Sequence, residues 1–461
     1  MSIAAGFYTS TQNVTISTPD PNITIYYTTN GTTPTTASTV YSTPIAVSTT
    51  KVIRARAYSS TATIPASFIE SNTFFINANH KVEVVSVFGD QITNWLTTGN
   101  PTNLKAAGGL EYFDKLGALQ AESFGEINKH GNDSWSYPQR GIDFKCVDQY
   151  GYNDALKYQI FNSKPRAEFQ RIILKASAGD NYPYETPGNP YSWGPNSQLG
   201  GAHIRDQYVQ TLAQKAGLHL DVRTWAPSVL YVNGSYWGVY DSREKVDDAD
   251  FTDYYFNSDS QFSNSPDQDS LQFLKDWGGV WAEYGGNTAL NDWAALRAYV
   301  AANNMAVQAN YNYVDSLLNI KSFVDYFFIN TVCVSKDWLN WNTAWWRGLN
   351  VKGKKKKWRY TLWDVDATFD HYVNYSGVPS SGANADPCQT QSLNPPGGDE
   401  GHLKILNALL ANPGFKQYYV MRYFDLMNNG LSCTRMITIL DSMVNVIDPE
   451  MTAHITRWNA N

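Results

Sequence analysis

Three aspartates and an asparagine lie in one aromatic-rich stretch of the sequence, residues 335–369. Asp337 is followed five residues later by Asn342, and Asp364 and Asp366 flank a single apolar residue further on. Apolar segments precede and follow this stretch, so these side chains are expected at the ends of buried elements. Because an ionised carboxylate is costly to bury without a cation or strong hydrogen-bond donors, the stretch predicts a cation site.

The order of these residues supports more than one chemistry. Asp-x4-Asn followed by a metal-binding Asp is the order of parts in a protein-kinase catalytic site. There, one Asp orients the attacking hydroxyl, and the Asn and the later Asp hold magnesium on the nucleotide phosphates. The same spacing occurs by chance in chains of this length, and Asp-x-Asp at a strand end also suits a turn cap or a calcium loop. Spacing alone therefore leaves phosphoryl transfer and a structural or calcium-binding role open.

Composition favours a surface or extracellular protein. The 461 residues are enough for two or three domains. The 35 Lys and Arg against 42 Asp and Glu give a net charge of −7, so nothing global suggests nucleic-acid binding. The lysine-rich turn at 352–357 is interpreted as a solvated hairpin tip. Aromatic residues are abundant at 14% and charged residues sparse at 17%, which is more typical of secreted proteins than of cytosolic enzymes.

Localisation signals and cysteines add further expectations. No apolar run approaches the length of a membrane span. The first residues lack the basic region and apolar core of a signal peptide, which suggests a processed fragment or a secretion route without an N-terminal signal. The four cysteines show no CxxC spacing, which argues against zinc. Cys146 and Cys333 are expected to be buried thiols, whereas Cys388 and Cys433, in loop-like sequence, are predicted to form a disulfide.

Residues 1–78 consist of short strand-like segments separated by turn residues, which predicts a small antiparallel β-sandwich. Two of its segments, residues 25–34 (IYYTTNGTTP) and 51–57 (KVIRARA), resemble the hallmark of the chitobiase/hexosaminidase C-terminal-type module. That resemblance implies an accessory module of secreted bacterial proteins, without catalytic residues. A spacer role is expected over sugar binding by Tyr26 and Tyr27.

Two segments beyond residue 78 carry a second resemblance. An Asn-Gly hairpin matches the pattern NGxYxGxYxxxExV with Asn233, Gly234, Tyr236, Gly238, Tyr240, Glu244 and Val246. The second segment is the Asp-rich stretch, with its Trp-Asp-x-Asp strand end. Both resemble the CotH kinase family of spore-coat-protein-H-like atypical kinases, and the resemblance extends over roughly residues 79–461.

This resemblance implies an α+β fold in which a kinase-like bilobal domain, residues 79–461, follows the sandwich. It also implies transfer of the γ-phosphoryl group of ATP to Ser or Thr of a protein, with Mg²⁺. Asp337 is then the expected base, Asn342 and Asp364 are metal ligands, and Asp366 is a second metal ligand or a structural partner.

The expected small lobe would supply the groups that bind nucleotide. A polar turn at residues 130–135 precedes Arg140, which stands where the family often has Lys and is the expected phosphate cation. Glu244 is its expected orienting partner, by analogy with the kinase Lys–Glu pair. Trp363 or Trp338 is a candidate to stack on the base, although an aromatic beside a core strand is more often packing.

A non-enzymatic interpretation stays open beside this one. In it, the chain is a structural or adhesive component of a surface or extracellular assembly, with Ca²⁺ at the Asp cluster. The expected partner of the kinase is a protein with Ser or Thr acceptors. A surface polysaccharide or another assembly component is the expected partner of the structural protein.

Overall fold

The computed structural model describes residues 1–61, 63–98, 105–181, 201–245, 271–349, 356–369, 371 and 400–459. The chain divides into two compact units. The first unit comprises Met1–Asn181, Trp225–Glu244 and Val444–Asn461, and the second comprises Tyr182–Thr224 and Lys245–Met443. Helices and strands are both abundant, which confirms the predicted α+β class.

The N-terminal part of the first unit is a β-sandwich. Its strands are β1 Gly6–Tyr8, β2 Gln12–Val14, β3 Ile23–Thr28, β4 Thr39–Val40, β5 Ile45–Val47, β6 Lys51–Ser59 and β7 Glu70–Ile76. A sheet in the order β1-β7-β6-β3-β4 and the separate pair β2-β5 enclose an apolar core that includes Val14, Val47 and Phe74. The predicted all-antiparallel pairing is wrong for one pair, since β1 runs parallel to β7. These two strands are distant in sequence, so no hairpin turn fixes their relative direction.

Seven strands of the first unit form a closed barrel in the order β10-β11-β12-β14-β13-β8-β9. They are β8 Glu83–Phe88, β9 Ala106–Phe113, β10 Leu119–His130, β11 Gly141–Cys146, β12 Arg171–Lys175, β13 Trp225–Val232 and β14 Ser235–Arg243, with a short helix α1, Ile92–Thr97. The parallel pair β8–β13 closes the ring. The predicted Asn-Gly hairpin joins β13 to β14, and Asn233 and Gly234 both have positive φ, as a type I′ turn requires.

Sandwich and barrel pack against each other inside the first unit. Arg54 of β6 is 2% exposed and places its guanidinium 5.3 Å from the ring centre of Phe88 in the barrel. The backbone N–H of Thr73 in β7 donates to both carboxylate oxygens of the buried Glu111 in β9, at 3.1 and 3.2 Å. The predicted boundary near residue 78 therefore lies between two sheets of one compact unit.

The second unit contains a four-stranded antiparallel sheet in the order β16-β15-β17-β18. Its strands are β15 Leu271–Asp276, β16 Val280–Tyr284, β17 Thr343–Gly348 and β18 Arg359–Leu362. One face packs on aromatic residues of the following helices. Trp345 of β17, for example, lies 5.2 Å from Trp293, ring centre to ring centre.

Helices make up most of the rest of the second unit. They are α2 Arg205–Lys215, α3 Gly286–Ala302, α4 Gln308–Leu317, α5 Ile320–Val332, α6 His402–Leu409, α7 Pro413–Asp425, a π-helical turn Leu426–Gly430, and α8 Cys433–Trp458, whose residues from Val444 onward belong to the first unit. Helix α5 begins where Asn319 caps the N–H of Ser322, and it is buried along most of its length. It leads directly into the stretch that carries Asp337.

The described part of the chain bears on two predictions, the absence of a membrane span and the state of the cysteines. No helix there is long and apolar enough to span a bilayer. Cys146 and Cys333 are buried free thiols, as predicted. Cys433 opens α8 as an exposed free thiol, and its predicted disulfide partner, Cys388, lies outside the described residues.

Candidate active site

The predicted acidic residues gather at one end of the β17–β18 pair. Thr343 and Leu362 face each other as the terminal paired residues of these antiparallel strands. Asn342 immediately precedes Thr343, and Trp363 and Asp364 immediately follow Leu362. Antiparallel pairing thus places the metal ligands predicted from two distant segments at the same edge of the sheet.

Backbone hydrogen bonds hold the two loops of this edge side by side. The N–H of Lys336 donates to the carbonyl of Ala367 at 2.8 Å, and the N–H of Phe369 donates to the carbonyl of Cys333 at 2.7 Å. Asp337 directly follows Lys336, and Asp366 directly precedes Ala367. The loop after α5 and the loop after β18 therefore bring Asp337 and Asp366 to neighbouring positions.

The side chain of Asn342 links the predicted base to the predicted metal site. Its Nδ2 donates to Asp337 Oδ2 at 2.8 Å. Its Oδ1 is buried and has no hydrogen-bond partner among the described residues, while the whole side chain is only 6% exposed. A buried amide oxygen without a partner is unfavourable by about 1–3 kcal/mol, and oxygen is the ligand that Mg²⁺ and Ca²⁺ prefer. A divalent cation bound at this oxygen would supply the partner that the described residues do not.

Backbone strain is concentrated in the same two loops. Val334, Leu339, Asn342, Asp364 and Phe369 all have φ between 49° and 71°. Asn and Asp tolerate this left-handed region, but for a β-branched or bulky residue such as Val334 or Leu339 it is a rare conformation. Strained backbone persists only where the surroundings enforce it, and it occurs often at functional sites.

Basic side chains surround the acidic edge. Lys336 is completely buried, and Arg205 is the first residue of α2. Burial, together with the positive charges of Arg205 and Lys336, lowers the pKa of His371 to about 3. His371 is therefore neutral at physiological pH, and Arg205 and Lys336 contribute positive potential near the carboxylates.

Buried ion pairs fix the elements that carry the acidic edge. Asp221 accepts from Trp346 Nε1 at 2.8 Å and from both Nε and Nη2 of Arg359 on β18. Gln210 of α2 donates to the carbonyl of Leu362 at 3.2 Å, and Asp206 in the same helix pairs with Arg223 at 3.4 Å. Local sequence does not predict these contacts, because their partners lie 17 to 152 residues apart.

In the first unit, Glu244 directly follows β14 and is 1% exposed. Its carboxylate lies 2.5 Å from Lys164 Nζ, and Lys164 is itself 3% exposed. Arg166 approaches the other oxygen at 3.6 Å. The structure thus gives Glu244 a buried lysine partner that the sequence analysis did not name. The spacing of Lys164 and Arg166, two residues apart between β11 and β12, is the signal that could have suggested it.

Arg140, the expected phosphate cation, directly precedes β11. Its Nη1 donates to the carbonyls of Trp95 at 2.7 Å and Thr98 at 3.4 Å, and its guanidinium lies 5.3 Å from the ring centre of Trp135. These contacts tie Arg140 to helix α1. The contacts described for Glu244 are with Lys164 and Arg166, whereas those described for Arg140 are with Trp95, Thr98 and Trp135.

The two candidate stacking residues differ in exposure. Trp338 is 1% exposed and packs on Tyr326 and Phe327, as expected of a core aromatic. Trp363 is half-buried, with Lys275 Nζ 4.9 Å from its ring centre. Among the described residues, no group of three or more His, Cys, Asp or Glu is arranged to hold a metal, so any cation here would rely on the Asn342 amide as well as on carboxylates.

Comparison with known proteins identifies two parts of the chain. The family described as chitobiase/beta-hexosaminidase C-terminal domain matches residues 3–67, which is the sandwich. A search of curated proteins finds no match. The family described as CotH kinase protein matches residues 195–461, a range that holds Glu244 and the whole acidic edge but begins after Arg140 and Lys164. Because this match covers more than half of the 461 residues, the chain belongs to the CotH kinase family.

Proposed function

We propose that this chain is an ATP-dependent protein kinase that transfers the γ-phosphoryl group to Ser or Thr of a surface or extracellular protein. Membership in the CotH kinase family supports the general class. The observation that carries the proposal is the Asn342 side chain. Its amide nitrogen holds Asp337, and its buried oxygen on the other side has no partner within the part of the chain that the structure describes. This is the arrangement that a base beside a metal site requires.

Asp337 acts as the base in this proposal. Phosphoryl transfer depends mainly on positioning and on charge stabilisation, with little covalent chemistry left for the protein. The hydrogen bond from Asn342 fixes Asp337 Oδ2, and the backbone bond from Lys336 to Ala367 fixes the loop. The carboxylate is thereby oriented to accept the proton of an acceptor hydroxyl as the oxygen attacks phosphorus.

Asn342, Asp364 and Asp366 would hold Mg²⁺. When bound, the ion neutralises charge on the phosphate oxygens of ATP. Asp364 and Asp366 follow β18 directly, and the ion pair of Asp221 with Arg359 holds that strand in place. Asn342 and Asp364 both have left-handed backbone conformations. In this proposal those conformations direct their side-chain oxygens to the edge of the sheet.

In this proposal Lys164 is a candidate cation for the nucleotide phosphates. It forms a buried ion pair with Glu244, and a buried pair is seldom a net source of stability. A Lys held by a Glu is the phosphate-binding device of protein kinases. Arg140 remains a candidate for the same role, and Trp363 remains the candidate for stacking on the base.

The non-enzymatic alternative, with Ca²⁺ as a structural ion, has no observation in its favour beyond those that fit the kinase. A surface or extracellular location is proposed from the low charge, the abundance of aromatic residues and the accessory sandwich. A polysaccharide or another assembly component is the proposed partner only in the non-enzymatic alternative.

Thermal unfolding with ligands tests the nucleotide and metal site. ATP with Mg²⁺ at about 100 times Kd should stabilise the wild type by about 2.7 kcal/mol. Asp364→Gly removes a metal ligand and tolerates φ of 52°, so it should lose this stabilisation while its melting temperature without ligand changes little. Asn77→Gly, at an exposed residue with φ of 55°, is the matched control and should keep it. Stabilisation by Ca²⁺ alone, with no added effect of ATP, would favour the structural alternative.

A further inference from the structure

A closed circuit of hydrogen bonds attaches the end of α8 to the barrel of the first unit. The N–H of Val239 in β14 donates to His454 Nδ1 at 2.9 Å, and His454 Nε2 lies 2.7 Å from Asn181 Oδ1. Asn181 Nδ2 donates to Gln139 Oε1 at 2.9 Å, and Gln139 Nε2 donates to the carbonyl of Val239 at 2.7 Å. The circuit therefore begins and ends on the same residue of β14.

The main chain at the two ends of the circuit fixes the position of every proton in it. A backbone N–H can only donate, so His454 Nδ1 must accept and Nε2 must carry the proton of the ring. Nε2 then donates to Asn181, whose amide donates to Gln139 in turn. All three side chains are 0% exposed, so water does not replace a bond that is lost. The circuit is complete only when His454 is neutral.

A proton on His454 Nδ1 would break the circuit. An imidazolium donates at both nitrogens, so Nδ1–H would face the N–H of Val239, and two donors cannot bond to each other. Burial also penalises the charged form of the ring and lowers the pKa of His454 from the ordinary value of 6.5 to about 4. Because the pKa is lower in the closed circuit than in the open chain, the circuit loses stability as pH falls from about 6.5 through 4.

A second histidine attaches α8 to the first unit and responds to acid in the opposite way. His80 Nδ1 lies 2.9 Å from the carboxylate of Glu450, and the N–H of Lys81 donates to the other oxygen at 2.6 Å. A proton on His80 strengthens this pair, because it adds a charge opposite to that of Glu450. Burial would raise the pKa of Glu450, but the hydrogen bonds from His80 and Lys81 outweigh it and hold the pKa below its ordinary value. This anchor therefore persists at a mildly acidic pH that opens the circuit.

The other charged residues beside the circuit, on the elements packed against His454, are Arg140, Asp180, Asp241 and Arg457. The guanidinium of Arg457 lies 4.5 Å from the ring centre of Trp237, and Arg140 donates to the carbonyl of Trp95. Asp180 and Asp241 are buried. Burial is the cause of the lowered pKa of His454, so these two acids do not offset it.

We propose that residues 451–458, the last two turns of α8, are an acid-sensitive latch on the barrel. Protonation of His454 opens the circuit and releases the latch from β14, while the anchor at Glu450 holds the rest of the helix. Release also breaks the hydrogen bond from Trp458 Nε1 to the carbonyl of Trp237 at 2.7 Å, which uncovers this end of the barrel. The latch is a conformational device beyond the proposed kinase function and does not depend on it.

Amide hydrogen exchange of the wild type at pH 7 and pH 4.5 tests the latch. Protection factors, which are corrected for the intrinsic effect of pH on exchange, report the opening equilibrium. With a pKa of about 4 when closed and 6.5 when open, opening at Val239 and at residues 451–458 should rise about 50-fold. The amides of β11, which pair with β10 and β12, should keep their protection.

Two matched variants separate His454 from the other histidines. His454→Gln keeps a donor and an acceptor but does not titrate in this range, so the protection of residues 451–458 should be the same at both pH values. His219→Gln makes the same substitution at a half-exposed histidine of the second unit and should retain the change of about 50-fold.

Three exchange results would overturn the inference. They are equal protection of residues 451–458 at both pH values in the wild type, an equal loss of protection in β11, and an undiminished change in His454→Gln. If His454→Gln does not fold, titration of the His454 ring by NMR in the wild type decides the question. A pKa at or above 6.5 would contradict a circuit that holds this ring neutral.

Discussion

At the scale of single residues, the Asn342 amide is the most informative group of the acidic edge. Its nitrogen donates to Asp337, which fixes the orientation of the amide and places Oδ1 on the opposite side. That oxygen is buried with no partner among the described residues. Nearly all buried polar atoms in native proteins have a partner, and in our proposal the bound cation is the partner of this oxygen. The sequence predicted Asn342 as a ligand, but only the structure shows which of its atoms is available.

The buried partner of Glu244 leads to the first prediction. Replacing both members of the pair, Lys164→Met with Glu244→Leu, leaves neither Lys164 nor Glu244 buried without the other, which would cost about 3–5 kcal/mol. Arg166 loses its contact with Glu244 at 3.6 Å but keeps its place 4.4 Å from the ring centre of Phe169. The fold should persist, while the Kd for Mg²⁺–ATP rises at least about tenfold, because a phosphate cation is lost. Isothermal titration calorimetry measures the Kd directly.

Arg140→Met is the matched comparison for this double variant. Its guanidinium donates to the carbonyls of Trp95 and Thr98, so the substitution should lower stability by about 1–3 kcal/mol and leave the Kd for Mg²⁺–ATP nearly unchanged. If Arg140→Met lost the binding of Mg²⁺–ATP and the double variant kept it, Arg140 rather than Lys164 would be the phosphate cation.

At the scale of elements, the acidic edge depends on how β17, β18 and their loops are held. Hydrophobic segments on both sides of the Asp-rich stretch were enough to predict that its carboxylates end buried elements, and local spacing was enough to predict Asp337, Asn342, Asp364 and Asp366 as a group. Local sequence could not reveal the pair of Asp221 with Arg359, or the hydrogen bond of Gln210 to Leu362, since each joins residues more than 130 positions apart. Such contacts depend on tertiary packing and leave no periodic signal.

The pair of Asp221 and Arg359 should be a main support of β18. Asp221 is fully buried, so Asp221→Ala leaves the Arg359 guanidinium without its charge partner and should destabilise the second unit by about 3–5 kcal/mol. Denaturant unfolding measures this loss. Asp315→Ala breaks the half-exposed pair with Lys357 and should cost less than about 1 kcal/mol. Equal losses in the two variants would contradict a structural role for the buried pair.

At the scale of the whole molecule, the sandwich and the barrel of the first unit share an interface that the sequence did not reveal. The two modules were predicted separately because their strand patterns and resemblances are local. Arg54 against Phe88 and Thr73 against Glu111 are contacts between them. The closed barrel was also beyond prediction, because it depends on the parallel pair β8–β13, whose strands lie more than 130 residues apart.

The buried Glu111 should make stability depend on pH. Burial raises its pKa from the ordinary value of 4.5 to about 8, against the effect of the hydrogen bonds from Thr73. Between pH 4.5 and 8 the unfolded chain has released this proton and the folded chain has kept it, so the contribution of Glu111 to stability should fall as pH rises, by up to about 1.4 kcal/mol per pH unit. Glu111→Gln should flatten this decline. Melting temperatures from pH 5 to 9 test it, and an identical decline in both proteins would contradict the assignment.

Asp325 has the opposite effect at low pH. Burial would raise the pKa of its carboxyl, but hydrogen bonds from His219 and Arg422 outweigh burial and hold the pKa below its usual range. The contribution of Asp325 to the free energy of unfolding is therefore complete at neutral pH. It is lost as pH falls below about 4, where the carboxyl of Asp325 becomes protonated in the unfolded chain.

Transfer of radiolabel from the γ-phosphate of ATP to a protein acceptor tests the central claim, that Asp337 is the base of a phosphoryl-transfer site. Asp337→Asn removes the charge and almost no volume, so the fold and the binding of Mg²⁺–ATP should survive. The rate of labelling should drop by about two to four orders of magnitude, the usual contribution of a general base. Labelling at the same rate in the wild type and in Asp337→Asn would contradict the claim, as would the absence of any labelling by the wild type.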